Sequence, residues 1–553
     1  MKNILLLSAS LLLAQIGAAQ NAAEVVSITA PSAVAPGATF TATIVMTNSG
    51  GNAWTSSGLY RLGSESPRNN LTWKADGRVE LPSDPINPGA TATFTATFTA
   101  PTTPGVYNFS WGMVQDLVEW FGPIASRQIK VGNGQFTPGD LVVLQTVATA
   151  SDPITANGTA IVLKNISKSS GATTFEVALP VTGSNAMLSG ASPFSGTIDL
   201  SSDKRYVVVG GYNQTNLPSG FNLESSGITP RIIGTVSSSG QYEVGPSAAA
   251  SDVSGPVARA LRGSISDGQG NFWGGGVNNA GIYYYGTKSA PVLISNLDPN
   301  AIGGTGVGAI RDLIMVNGKP GFSSSQYPSS GNHGISIFNN VSPTMPQEPS
   351  FVLDAGNAVT GNTGTPSLKG FSFNTNLTIA YVVDLRASPN GGIYRYNGTG
   401  TGLPGSWTYA YAISVAGEFP TGAFHEVIAD FPGTSPKVYA TVASGSGNAS
   451  TATHLVTFVD TGETSPTFTS LATAPITAPF RGLTFAPKAS VVTAVVISIT
   501  KSGSNVVVSW TGTGTLQSAG VASGPYVPVA GSPTSPYTTA VSGTSQFFRV
   551  LTP

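Results

Sequence analysis

The sequence predicts an all-β protein of several domains, and three observations carry that prediction. Charge is sparse, because 25 Lys and Arg with 26 Asp and Glu make only 9% of 553 residues, against about a quarter in ordinary soluble domains. Glycine and proline are abundant, with 67 and 39 copies, and many fall in Pro-Gly and Gly-Gly turn signals. Between the turns run short stretches in which apolar side chains alternate with Thr or Ser, the period of a strand with one buried face. A hydrophobic content of 40% supplies the cores and argues against a disordered chain.

Charge and cysteine exclude whole classes of function. A net charge of −1 offers no basic field for nucleic acid or anionic lipid. With no cysteine there is no disulfide framework, thiolate nucleophile, Cys-based zinc site or iron–sulfur cluster. The histidines, His333, His425 and His454, are not at ligand spacing from one another. No metal and no cofactor are therefore expected.

The first element is a leader. Met1-Lys2-Asn3 carries one positive side chain, Ile4 to Ile16 is apolar, and Gly17-Ala18-Ala19 places small residues at a cleavage site. Residues 1–19 thus read as a signal peptide, with an apolar run shorter than the roughly 20 residues of a membrane span. The expectation is a secreted bacterial protein, extracellular or at the cell surface with the periplasm as an alternative, and no membrane insertion after cleavage.

Residues 25–132 read as an immunoglobulin-like sandwich of about seven strands. Phe40 to Met46 and Ala92 to Thr99 alternate an apolar face with a hydroxyl face, and turn signals follow at Ser49-Gly50-Gly51-Asn52, Asn87-Pro88-Gly89 and Thr103-Pro104-Gly105. Thr47-Asn48-Ser49-Gly50 before Trp54, Pro104-Gly105-Val106-Tyr107, Trp111-Gly112-Met113 and Trp120-Phe121-Gly122 also carry a family likeness. This stretch resembles the four-tryptophan immunoglobulin-like domain of selective-autophagy receptors and many bacterial exported proteins. Trp54, Trp73, Trp111 and Trp120 are the tryptophans within it.

Residues 135–488 repeat with a period of about 50–60 residues, which predicts a β-propeller of six blades, or alternatively seven if the region from Asn213 to Thr229 hides extra strands. Each unit opens on an apolar strand: Gly196 to Leu200, Leu261 to Ile265, Ile310 to Ile314, Leu368 to Phe373, and Phe424 to Ile428. A sixth opening strand, Phe480 to Phe485, has no partners after it, whereas Leu141 to Gln145, Ala160 to Lys164 and Thr174 to Leu179 lack an opening strand. Ring closure pairs the two sets and removes exposed sheet edges. Residues 491–553 form a short C-terminal β-sandwich that resembles a fibronectin type III module, with Val506, Val508 and Trp510 facing one core and Gln546 to Val550 closing it.

Candidate site residues follow from this layout. Opening strands line a propeller channel, so Arg262, Arg311 and Arg481, with Arg259 nearby, could form an anion-binding cluster or hold neighbouring blades by bonds to carbonyls. Trp120 and Phe121 follow the acidic turn Gln115 to Glu119 and could form an exposed aromatic tip. His425 and Glu426 share an opening strand, but alternation would send adjacent side chains to opposite faces. Ser266-Asp267-Gly268 before Phe272-Trp273 approaches the Asp-box of propeller glycan hydrolases, has no second copy, and reads as a turn. No catalytic residue is singled out. The predicted function is non-catalytic binding on a propeller platform, with a neutral glycan or an envelope or extracellular protein as partner, no nucleic acid, and tyrosines such as Tyr283 and Tyr394 available for stacking. The alternatives are a propeller carbohydrate-active hydrolase, which would need convergent buried carboxylates in the channel, and an extracellular matrix or assembly component.

Overall fold

The computed structural model describes residues 20–551 apart from 149–153, 156, 193, 215–221, 225–229, 249–260, 277–280, 287–290, 296–309, 325–333, 348, 355–366, 387–390, 402–404, 415–423, 434, 444–451, 490–494, 513 and 541–544. The leader over residues 1–19, Arg259 and His333 lie outside the described residues, as do the C-terminal residues 552–553. Among the described residues every named element is a strand, and no helix is long and apolar enough to cross a membrane. The chain divides into two units, Met1–Lys488 and Ala489–Pro553.

The first unit begins with two sheets over a shared core. Ala23–Thr29, Thr39–Asn48 and Thr91–Thr99 form one, and Ala33–Val34, Glu119–Val131, Gly105–Gln115, Tyr60–Ser64 and Arg78–Glu80 the other. Thr39–Asn48 buries Phe40, Ala42, Ile44 and Met46 and turns Thr39 and Thr41 to solvent, as its alternation requires. Trp54, Trp73 and Trp111 are all core. Trp73 also reaches across the core, where its indole N–H donates to the carbonyl of Asn108 at 2.9 Å.

Among the described residues, four separate antiparallel sheets of four strands each follow, opening at Ile198–Leu200, Leu261–Ser266, Ile310–Val316 and Leu368–Phe373. Two further four-stranded runs, Phe424–Asp430 to Thr469–Thr473 and the closing set, belong to a larger sheet that continues into the first domain. In the closing set Phe480–Phe485 pairs antiparallel with Leu141–Val147, Phe480 opposite Gln145 and Phe485 opposite Leu141. Hydrophobic clusters fill the gap between every sheet and the next. Val142 and Leu144 meet Val207 and Val209, Val208 and Ile233 meet Leu261, and Trp273 meets Phe322. Ile335 then meets Leu368, Val383 meets Phe424, and Tyr439 meets Leu141 and Phe480. The cycle closes, and the six opening strands touch one another around it. The architecture is propeller-like.

The closing sheet is joined to the immunoglobulin-like region through backbone. Glu176 and Val177 on its outermost strand pair parallel with Gly105 and Val106. A Cβ at Gly105 would sit 2.4 Å from the carbonyl oxygen of Glu176, so glycine is what permits that approach. Asn108 Nδ2 donates to the Leu179 carbonyl at 2.8 Å and Gln128 Nε2 to the Ala178 carbonyl at 2.6 Å.

The second unit has two three-stranded sheets, Ile497–Ser502 with Asn505–Trp510 and Tyr537–Ala540, and Val527–Pro528 with Thr515–Ala519 and Phe547–Leu551. Val508, Trp510 and Leu516 are its buried core, with Val506 half-buried.

Candidate functional site

The six opening strands enclose a channel, and five of them place a base second: Arg262, Arg311, Lys369, His425 and Arg481. Each of these bases lies at a break in register with the next strand of its sheet. The shifts fall between Leu261 and Gly263, Ile310 and Asp312, Leu368 and Phe371, Phe424 and Glu426, and Phe480 and Gly482. A bulge leaves one residue unpaired and re-aims the side chains beside it. The following position is glycine in Gly263, Gly370 and Gly482 and a carboxylate in Asp312 and Glu426. At Gly370 a Cβ would stand 2.6 Å from Glu426 Oε2, so the missing side chain makes room for the neighbouring carboxylate.

This bulge corrects one expectation. Strict alternation would separate His425 from Glu426, but the shift between Phe424 and Glu426 places both on the same group. Nζ of Lys369 lies 2.7 Å from His425 Nδ1, forms an ion pair with Glu426 Oε1, and donates to the Arg481 carbonyl at 3.3 Å. Burial pushes the Lys369 ammonium down and the Glu426 carboxyl up, each opposed by the other's charge. Asp312 is raised well above the usual carboxylate range by burial and by the neighbouring charge of Glu426. Asp199 is pushed up to about 7 by burial, although its Oδ2 accepts the Met315 amide at 2.7 Å.

Asp199, Asp312 and Glu426 all line one cavity of about 580 Å³ toward the later part of the opening strands, together with Phe371, Phe373 and Phe431. The channel therefore does hold convergent carboxyl groups, with Asp312 and Glu426 buried and Asp199 half-buried. Among the described residues no group of three or more His, Asp or Glu is arranged to hold a metal ion.

The arginines sit at the other end. Arg481 Nη1 donates to the Ser192 carbonyl at 3.0 Å and Nη2 to the Ala191 carbonyl at 3.4 Å, which ties the closing strand to the next sheet. Arg262 and Arg311 instead lie over the ring of Phe194, their guanidinium carbons 4.6 and 3.9 Å from its centroid. Burial, and for Arg262 the adjacent Arg311 charge, pushes each of the two down to about 10.

Trp120 and Phe121 do not form an exposed tip. Phe121 is core, with ring centroids 5.9 Å from Trp54 and 6.1 Å from Tyr60, because its strand alternates it inward. Trp120 is half-buried, with Arg68 and Arg78 each 5.3 Å from its ring centroid. The apolar residues at the hairpin tip are Leu117 and Val118, 98% and 66% exposed. Tyr394 is buried, and its hydroxyl donates to Asp384 at 3.2 Å, whereas Tyr283 is half-buried. His454 lies on a third strand, 3.0 Å from Thr453 Oγ1. Asp267 makes a turn as its sequence suggests, its Oδ1 accepting the Gln269 amide at 2.7 Å.

Sequence reasoning missed Lys369, Asp199, Asp312 and Phe194. The signal for Lys369 and Asp312 was available in the opening strands written one above another, Leu261-Arg262-Gly263, Ile310-Arg311-Asp312, Leu368-Lys369-Gly370, Phe424-His425-Glu426 and Phe480-Arg481-Gly482.

Residues 27–131 match the family described as the Ig-like domain from next to BRCA1 gene. No curated protein matches the chain. Among solved structures, the chain is similar to the periplasmic gluconolactonase PpgL of Pseudomonas aeruginosa, at 13% identity over 73% of this chain and 100% of that one, with a TM-score of 0.31. It is also similar to a Trypanosoma rangeli sialidase in complex with the inhibitor DANA, at 11% identity over 58% and 55% of the two chains, with a TM-score of 0.31. At these identities and scores neither ligand nor reaction transfers.

Proposed function

We propose that this chain is an exported bacterial binding protein in which a six-bladed propeller is the platform and the channel cavity holds a neutral, polyhydroxylated ligand such as a glycan. The observation that carries the reading is the cavity of about 580 Å³, which sets carboxyl groups beside phenyl rings. Such a combination accepts hydroxyl hydrogen bonds and stacks on apolar sugar faces. Each acid there already has a partner that holds it in place: Met315 for Asp199, the Leu313 amide for Asp312, and Lys369 for Glu426. The immunoglobulin-like region and the fibronectin type III-like module serve as spacers or docking units.

Titration calorimetry of the mature chain against neutral oligosaccharides tests this. Binding that weakens in Asp199→Asn, with the fold intact, supports the reading, and no binding across a broad neutral panel counts against it. Hydrolysis is the second reading, favoured by the raised Asp199 and Asp312 carboxyls in one cavity, because an acid protonated near neutrality can protonate a leaving group. Release of reducing ends from a polysaccharide, abolished by Glu426→Gln in a folded variant, would replace binding with turnover.

A further inference from the structure

The start of the channel carries a second arrangement, independent of the neutral-ligand reading. Arg262 and Arg311 belong to neighbouring opening strands, and both guanidiniums rest on Phe194 at 4.6 and 3.9 Å. None of these three residues lines the acid cavity. Among the described residues, Nε and Nη1 of Arg262 and Nε of Arg311 are buried without a hydrogen-bond partner. Arg311 Nη1 has only a long contact, 3.5 Å, with Ser367 Oγ. The acid that offsets Arg262 is Glu224, whose Oε1 is occupied by the Ser195 hydroxyl at 2.7 Å and the Ser192 amide at 2.9 Å.

Two like charges side by side with orphaned donors are costly as they stand. An anion between them would answer both the repulsion and the unmade bonds. A carboxylate fits the guanidinium fork in size and planarity. The phenyl floor favours an anion with an organic body over a fully hydrated inorganic one. Both arginines and Phe194 are half-buried rather than sealed as residues, while the orphaned nitrogens themselves are covered, so a carboxylate engages the accessible part of the pair and reaches those nitrogens through side-chain adjustment. We infer that Arg262, Arg311 and Phe194 form a binding site for the carboxylate of a small organic acid.

The test is calorimetry on the full mature chain with glucuronate as probe, glucose as its neutral control, and phosphate and sulfate as inorganic arms. Glucuronate is expected to bind and glucose not to bind at this site. Arg262→Gln and Arg311→Gln should each weaken glucuronate by at least about tenfold, the value of one charged hydrogen bond. Arg311→Lys, which keeps charge without the fork, should weaken it as well. With no ligand present, Arg262→Gln should raise the melting temperature, because it relieves the repulsion. Equal affinity in the Gln variants, phosphate or sulfate binding as tightly as glucuronate, or no glucuronate binding at millimolar probe would overturn the site. Unfolding of both Gln variants would do so too, since the pair would then be structural. Asp199→Asn should leave glucuronate binding intact, which separates a failure here from a failure of the cavity reading.

Discussion

Nδ1 of His425 lies 2.7 Å from Nζ of Lys369, although the two bases come from neighbouring opening strands 56 residues apart. While Lys369 carries its proton it can only donate, so the imidazole then accepts at Nδ1. The contact exists because the bulge before Glu426 turns His425 inward, and the Glu426 carboxylate then neutralises a lysine that is fully buried. A cation in this position is tolerated only as part of that network.

Removing the cation should therefore be costly. Lys369→Met leaves Glu426 buried without its partner, and the expected loss is about 3–5 kcal/mol. The double variant Lys369→Met with Glu426→Gln should recover most of it, since no uncompensated charge remains. Urea midpoints at pH 7 measure both. A single variant as stable as the parent would mean that Glu426 is already protonated and the pair is not ionised.

Asp199 sets a pH dependence with a definite sign. Its ordinary value is 3.8 and burial raises it to about 7. Between those two values the folded chain keeps a proton that the unfolded chain has released, so stability falls as pH rises through that window and levels off above it. The shift corresponds to at most about 4 kcal/mol. Asp199→Asn should flatten the profile of melting temperature between pH 4 and pH 8 on this reasoning and should be the more stable form at the upper end. A variant as steep as the parent would assign the slope to other groups.

The first domain offers a contrast between neighbours in sequence. Phe121→Ala empties a core position beside Trp54 and should cost about 3–5 kcal/mol. Leu117→Ser and Val118→Ser, at the exposed tip, should stay within about 0.5 kcal/mol. Thermal denaturation reads both, and a neutral Phe121→Ala would remove it from the core.

The legible part of this fold was its periodicity. Alternation in Thr39–Asn48 and Thr91–Thr99 fixed which face is buried, and the orphaned strand Phe480–Phe485 could be matched to Leu141–Val147 because both ends needed a partner. The site was less legible, because alternation is a rule of regular strands and the channel residues sit where regularity breaks. A bulge leaves no mark in hydrophobic pattern, so His425 and Glu426 read as facing apart. Phe194 precedes its strand and belongs to no period, and only the packing of the opening strands around the channel brings it under Arg262 and Arg311. The hairpin turn itself was legible, because it lies within Gln115 to Glu119 as read, but its exposed apolar residues are Leu117 and Val118, whereas Phe121 beyond it alternates inward.

Ring closure itself can be broken at one strand. Phe480 and Leu483 are buried in the core between the last sheet and the closing one, and Arg481 ties the strand to the carbonyls of Ser192 and Ala191. A chain ending at Pro479 would leave the Leu141–Val147 strand as an open edge and expose both flanking cores. It should be cleaved throughout the propeller-like body by limited proteolysis, whereas a chain ending at Lys488, which lacks only the second unit, should resist as the parent does. A point substitution makes the same case without truncation. At Gly482 a Cβ would stand 2.5 Å from the Gly196 carbonyl oxygen and 2.9 Å from the Ile198 amide nitrogen, backbone atoms that cannot rotate away. Gly482→Val should cost about 1–3 kcal/mol or more through that overlap, whereas Gly503→Val, where nothing lies within 4 Å of the new Cβ but φ is +61°, should cost only its backbone strain. Equal protease resistance of the two truncated chains would show that the ring holds without its closing strand.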